Sequence, residues 1–161
     1  MRPSVLSPLL AILLGLSPLP PQSGWRPPVA LPAHLLNQFR TPNSDYSAGH
    51  RGVDYLVEGG QSVLAPAAGN IAFVGLVANK PVLAIQHSDN LRTAFEPVCS
   101  ALQVGTSVRA GQVIGTVCPA GYASHCAPLV CLHFSLRRQD RYLSPLVYLG
   151  GISPSVLIWP N

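Results

Sequence analysis

Charge is scarce in this chain of 161 residues: Asp, Glu, Lys and Arg together make up only 10%, and the formal net charge is +4. The small positive excess is spread out. Only Arg137, Arg138 and Arg141 cluster, with no aromatic residues interleaved, so neither a basic stripe nor a recognisable nucleic-acid module is present. A weakly positive surface suits an anionic polymer such as a cell wall, but many exported proteins share it. Helical periodicity is missing after the first sixteen residues. No phosphate-binding glycine loop or dinucleotide fingerprint occurs between a strand and a helix, and no paired C-x-x-C knuckles are found. Ser135 has no activated Ser–His–Asp arrangement around it, which removes the serine-hydrolase reading.

What is abundant is apolar residues (48%), together with 17 prolines and 14 glycines. This composition fits a loop-rich β protein and is too hydrophobic for a disordered one. The length allows one compact domain with a proper core. Short strands are predicted at 63–65, 70–77, 81–87, 91–98 (broken by Pro97), 107–117 (with a glycine turn inside) and 129–137. Their spacing near ten residues points to an all-β fold, a sandwich or an open barrel. Residues 39–150 make up the expected domain. The proline-rich stretch 24–38 is expected to be an extended linker or arm, and 151–161 a tail or last edge strand.

Arg2, the apolar run Val5–Leu16 and the turn-forming SPLPPQSG that follows have the order of a secretory signal over 1–23. The run is too short to span a bilayer with ease, so the expected protein carries no transmembrane segment after signal removal. It would be secreted or extracytoplasmic. The four cysteines, Cys99, Cys118, Cys126 and Cys131, then read as disulfides with three possible connectivities. Cys126–Cys131, closing a short loop, with Cys99–Cys118 is the favoured pairing.

His50 and Asp54 stand in GHRGVDY (49–55). Zinc ligand atoms lie only about 3–3.5 Å apart, whereas residues four apart on a straight strand are separated by about 13 Å. The segment therefore has to bend, and Gly52 is the residue expected to permit it. His133 lies in CLHFSLR, where alternation puts Cys131, His133 and Ser135 on one face and Leu132, Phe134 and Leu136 on the other. The apolar set should face the core. His133 then projects from the opposite face, as a solvent-facing residue or as a third zinc ligand that leaves a fourth position open.

The motifs between Gly49 and Leu149 occur in an order that resembles the lysostaphin/LytM-like family of zinc endopeptidases. GHRGVD is similar to the family's H-x-x-x-D after a glycine. GGQSVLAPAAGNIAFVG and LQVGTSVRAGQVIG are similar to two glycine-punctuated phrases that follow, and CLHF and SPLVYL to the closing H-L-H-F strand and terminal D-P-x-x-x-L. The resemblance implies an antiparallel β-sandwich or open barrel of duplicated hybrid motif type. It also implies zinc held by His50, Asp54 and His133, and a peptidoglycan peptide as substrate.

Two departures bear on activity. The first histidine of the family's H-L-H, which sits beside the metal, is Cys131 here. A second catalytic histidine, in a Y-x-H-L phrase, corresponds to Pro97 in FEPV (95–98). Losing such donors typically costs a few kcal/mol each in transition-state stabilisation. His125, tethered near His133 if Cys126 and Cys131 are bridged, is the first candidate to compensate, and Glu96 the second. His87 suits a structural or hydrogen-bonding role, and His34 a solvated one. The resemblance thus implies either a zinc endopeptidase of a divergent branch or a non-catalytic module that binds the wall or regulates a cell-wall hydrolase.

Overall fold

The computed structural model describes residues 24–44, 47–119, 121–122 and 124–150. The signal segment expected over 1–23 and the tail over 151–161 lie outside the described residues. Among those described, no helix is long and apolar enough to cross a membrane.

Among the described residues, eleven strands and one four-residue helix form in chain order: β1 Leu35–Asn37, β2 Gly52–Leu56, β3 Ser62–Leu64, β4 Gly69–Val77, β5 Lys80–Gln86, β6 Leu91–Glu96, β7 Val98–Cys99, β8 Ser107–Val108, β9 Val113–Val117, β10 Cys131–Arg138, β11 Arg141–Leu143 and α1 Pro145–Tyr148. They make a large antiparallel sheet in the order β1-β2-β10-β6-β5-β4-β8, with β11 beside β10, and a small sheet β3-β9-β7. One core draws on both, Val53, Leu83, Phe95, Leu132 and Phe134 from the large sheet and Val63, Val98, Ile114 and Val117 from the small one. This is an all-β antiparallel sandwich, as the strand spacing implies.

Alternation along β10 sorts its side chains into two faces. Leu132, Phe134 and Leu136 are fully buried in the core, and the Phe134 ring stacks on Phe95 of β6 at 5.2 Å. On β2, Val53 and Tyr55 face the same core, so Asp54 must project from the other side. Between β4 and β5, Ala78 and Asn79 both have positive φ (47° and 61°). That is the two-residue turn whose twist matches antiparallel strands. The single strand expected over 91–98 divides at Pro97, which cannot donate to a ladder. Glu96 ends in the large sheet, and Val98 begins in the small one.

The stretch 24–38 is extended, but it is not a linker. β1 pairs with β2, Leu35 opposite Tyr55 and Asn37 opposite Asp54. Val29 is 3% exposed within the core, and backbone bonds Arg26 N–H to Pro66 O, Leu64 N–H to Pro28 O and Leu56 N–H to His34 O (each 2.8 Å) sew the arm down. Proline removes donors from the arm, but its carbonyls and its apolar side chains remain available, and these do most of the docking beside the N–H of Arg26. His34 itself is exposed. The disulfides are Cys99–Cys118 and Cys126–Cys131.

His87 fastens the far end of the sheet. Its Nδ1 bonds to the Ala68 carbonyl and its Nε2 to Thr93 Oγ1, both at 2.8 Å, and Trp25 of the arm packs on its ring at 4.9 Å. Burial pushes its pKa down, against the raising effect of the Ala68 carbonyl. The unfolded chain therefore takes up the proton first, and stability falls as pH drops below about 6.5. We expect wild-type stability, measured by urea unfolding between pH 8 and pH 5, to exceed that of His87→Gln most at the alkaline end and to converge on it as the solution is acidified. A constant difference across that range would show that His87 titrates normally in the fold.

Candidate metal centre

The register of the large sheet builds a row of polar side chains across four strands. Asn37 of β1 stands opposite Asp54 of β2, Asp54 opposite His133 of β10, and His133 opposite Glu96 of β6. His50 precedes β2 and is held by an isolated bridge to Arg40. His125 immediately precedes Cys126, one anchor of the loop that the Cys126–Cys131 bond closes.

The Asp54 carboxylate is the centre of this arrangement, with its side chain wholly buried. Oδ1 lies 2.8 Å from His133 Nδ1 and 3.2 Å from His50 Nε2, and these two nitrogens are 3.2 Å apart. Oδ2 accepts from Asn37 Nδ2 and from His125 Nε2, both at 2.9 Å. Burial works to raise the Asp54 pKa. The hydrogen bonds from His133, Asn37 and His125, together with the charge on His133, outweigh it and hold the carboxyl well below the usual carboxylate range.

The donor set fits a metal ion. His50 Nδ1 lies 2.8 Å from the Gln38 carbonyl. A carbonyl can only accept, so Nδ1 carries a proton, and in its neutral form the ring presents its Nε2 lone pair to Asp54 Oδ1. Two lone pairs facing each other at 3.2 Å are stable only with a proton or a cation between them. One donor atom from each of His50, Asp54, His125 and His133 can be chosen so that all lie within 4.8 Å of one another. The closest three approach the roughly 3.2–3.6 Å edges of a tetrahedral zinc site. A backbone carbonyl holding the distal nitrogen of a ligand imidazole is a common outer-shell device.

Gly52 serves this site by size. It lies in strand conformation at the start of β2, and a Cβ there would meet Phe134 O at 2.5 Å and His133 Nε2 at 2.6 Å. The expectation that it permits a bend is replaced by a steric one: the missing side chain makes room for the third imidazole. Glu96 lies on the same face, but its Oε1 is engaged by Lys80 Nζ at 3.1 Å. Cys131 sits close enough to be grouped with Asp54, His125 and Cys126, yet as a disulfide sulfur it has no proton to give. His87 and Ser135 do not join the cluster. Sequence reasoning missed Asn37 and Gln38, which lie in a stretch with no motif.

Set against known proteins, the sequence pattern of Peptidase family M23 matches residues 48–145. An uncharacterized protein of Mycobacterium tuberculosis is 38% identical over 111 residues, covering 69% of this chain and 43% of its own length. The murein hydrolase activator NlpD of Escherichia coli is 30% identical over 104 residues, covering 63% of this chain and 26% of its own. The chain thus spans less than half the length of either relative. The catalytic domain of the antimicrobial peptidase lysostaphin from Staphylococcus simulans superposes with a TM-score of 0.61 at 21% identity, covering 73% of this chain and 92% of that one.

Two substitutions separate the roles of shape and charge at the centre. Gly52→Ala should lower both the melting temperature of the metal-free protein and its zinc affinity, because His133 has to move. Asn37→Ala should leave the fold intact while weakening zinc binding by about 10- to 100-fold, the usual effect of losing an outer-shell partner. Competition with a fluorescent chelator, alongside thermal melts, reads both. Unchanged affinity in Asn37→Ala would remove Asn37 from the centre.

Proposed function

The chain belongs to Peptidase family M23, and from that membership we propose that it is an exported zinc-dependent endopeptidase acting on peptidoglycan peptides. One observation carries the reading: imidazole nitrogens from three separate segments surround a single buried carboxylate, with one lone pair already aimed by a backbone carbonyl. His50, Asp54 and His133 would hold the metal. Bound zinc supplies Lewis-acid polarisation of a peptide carbonyl and acidifies a water nucleophile at neutral pH.

The remaining chemistry falls to the residues of the chain. His125 is the exposed member of the cluster, its side chain 41% accessible, and it presents a ring to any substrate entering the site. Facing a carboxylate, its Nε2 carries the proton, which leaves Nδ1 able to accept one in the neutral tautomer. It can therefore hold and return a proton beside the reacting carbonyl, the role of a general acid–base. Pro97 has no donor, and Cys131 is bridged. Neither can do this from the positions where the family resemblance places a histidine.

Those same two replacements support a second reading, a module that binds the wall or stimulates a separate cell-wall hydrolase without cutting. The relationship to the activator NlpD points the same way.

Incubating the zinc-reconstituted, disulfide-intact protein with purified peptidoglycan and resolving the soluble muropeptides by chromatography tests the proposal. We expect release that is abolished by chelation and by His133→Ala. His125→Ala should lower it by about 100-fold or more while zinc stays bound, the usual scale for losing a positioned acid–base. No release from protein confirmed to carry zinc, across several wall types, would replace the enzyme with the binding or activating module.

A further inference from the structure

The sheet face that carries His133 continues past the metal centre. The next row across the strands is Gly52, Ser135, Ala94 and Ala84, paired in register from β2 through β10 and β6 to β5. Of these, Ser135, Ala94 and Ala84 floor a groove of about 370 Å³, walled by Phe73 and Tyr142, which are 37% and 38% exposed. One row further, Arg137 of β10 stands directly opposite Arg92 of β6, and both line the groove.

Like charges directly opposite on neighbouring strands destabilise a sheet. Neither guanidinium is neutralised by the fold: among the described residues no carboxylate comes within ion-pair distance of Arg92 or Arg137, and the nearby Glu96 is taken by Lys80. Arg92 donates its Nε to Gln86 Oε1 at 3.1 Å, a neutral partner. Asp89 and Asp140 border the adjoining cavity with both arginines, but neither comes within ion-pair distance of them. Two forked donors side by side at the end of a small-residue floor are matched to one carboxylate.

We propose that this groove binds an extended peptide bearing a free carboxylate, which Arg92 and Arg137 hold while the peptide backbone crosses Ser135 and Ala94. The proposal rests on the reading of the chain as a module for peptidoglycan peptides and gives that substrate a required charge. Arg137 is four strand steps beyond His133, about 13 Å, so the carboxylate lies roughly three to four extended residues from the bond held at the metal centre.

The test is calorimetric titration of the full chain, supplied with zinc, with three synthetic tetrapeptides: the stem peptide L-alanyl-D-isoglutamyl-meso-diaminopimelyl-D-alanine, its fully amidated form, and an all-L peptide of the same charge. The acid stem peptide should bind at least about tenfold more tightly than the amidated one. Arg92→Gln and Arg137→Gln should each remove most of that preference, and added salt should shrink it. Arg109→Gln, on the loop before β9, should retain it. Equal binding of acid and amidated stem peptides, or a preference that survives both substitutions, would overturn the arginine pair and leave the wall reading standing. An all-L acid peptide bound as tightly as the stem peptide, with its affinity lost in the arginine variants, would uphold the pair and overturn the wall reading. Binding of none of the three would overturn both.

Discussion

A carboxylate with no exposed surface has to be compensated from every side, and the rest of the site follows from how Asp54 achieves it. Burying an unpaired charge costs several kcal/mol even after relaxation. Asp54 meets that cost with three hydrogen-bond donors from three different segments, Asn37 from the arm, His125 just before the disulfide loop and His133 from β10, while His50 Nε2 stands 3.2 Å from Oδ1. A hydrogen bond to a charged group contributes roughly 1.5–3 kcal/mol, so the set is sufficient as long as it is complete. The polar cluster is thereby a fastening between chain segments as well as a candidate metal site. Loss of one partner leaves the others facing an undercompensated charge.

This explains why the proline-rich arm belongs to the domain. Asn37 reaches Oδ2 of Asp54, and the carbonyl of the next residue, Gln38, fixes the tautomer of His50. The arm therefore supplies an outer-shell contact to each of two proposed ligands. Order in the arm and order in the metal centre are coupled through these two contacts. The contacts of Trp25 with His87 and Tyr148 secure the arm at its other end.

How far the sequence was legible follows from the range of the interactions involved. Period-two alternation is local, so the core face of β10 and the opposite projection of His133 could be read directly, as could the break at Pro97. The strand over Gly52–Leu56 was less visible, because its single charged residue, Asp54, is one of the buried ones and its first residue is a glycine. β1 was hidden for a different reason. Proline content is a sound sign of extended chain, but extension says nothing about whether a sheet edge is waiting to receive it. Asn37 and Gln38 acquire their roles only through register with β2, a pairing across seventeen residues that no spacing rule announces. Gly52 shows the same limit. Its need for smallness comes from a ring on a neighbouring strand, not from its own backbone.

The disulfide loop shows how a site can be altered without being emptied. A histidine at position 131 would stand on β10 itself, two residues from His133 and on the same face. Cys131 instead places a sulfur there and bonds it to Cys126, whose neighbour His125 turns its ring back over Asp54, 5.6 Å from the His133 ring centroid and 6.0 Å from that of His50. An imidazole is thus present above the carboxylate, carried by the residue next to a disulfide-bonded cysteine rather than by the strand. A strand residue is positioned by its ladder, while a loop residue has to be positioned by something else, and here a bond five residues in span does it. The loop and the metal centre consequently depend on each other. Without the bond His125 is held over Asp54 only by its own hydrogen bond to Oδ2, and without His125 the Oδ2 side of the carboxylate keeps only Asn37.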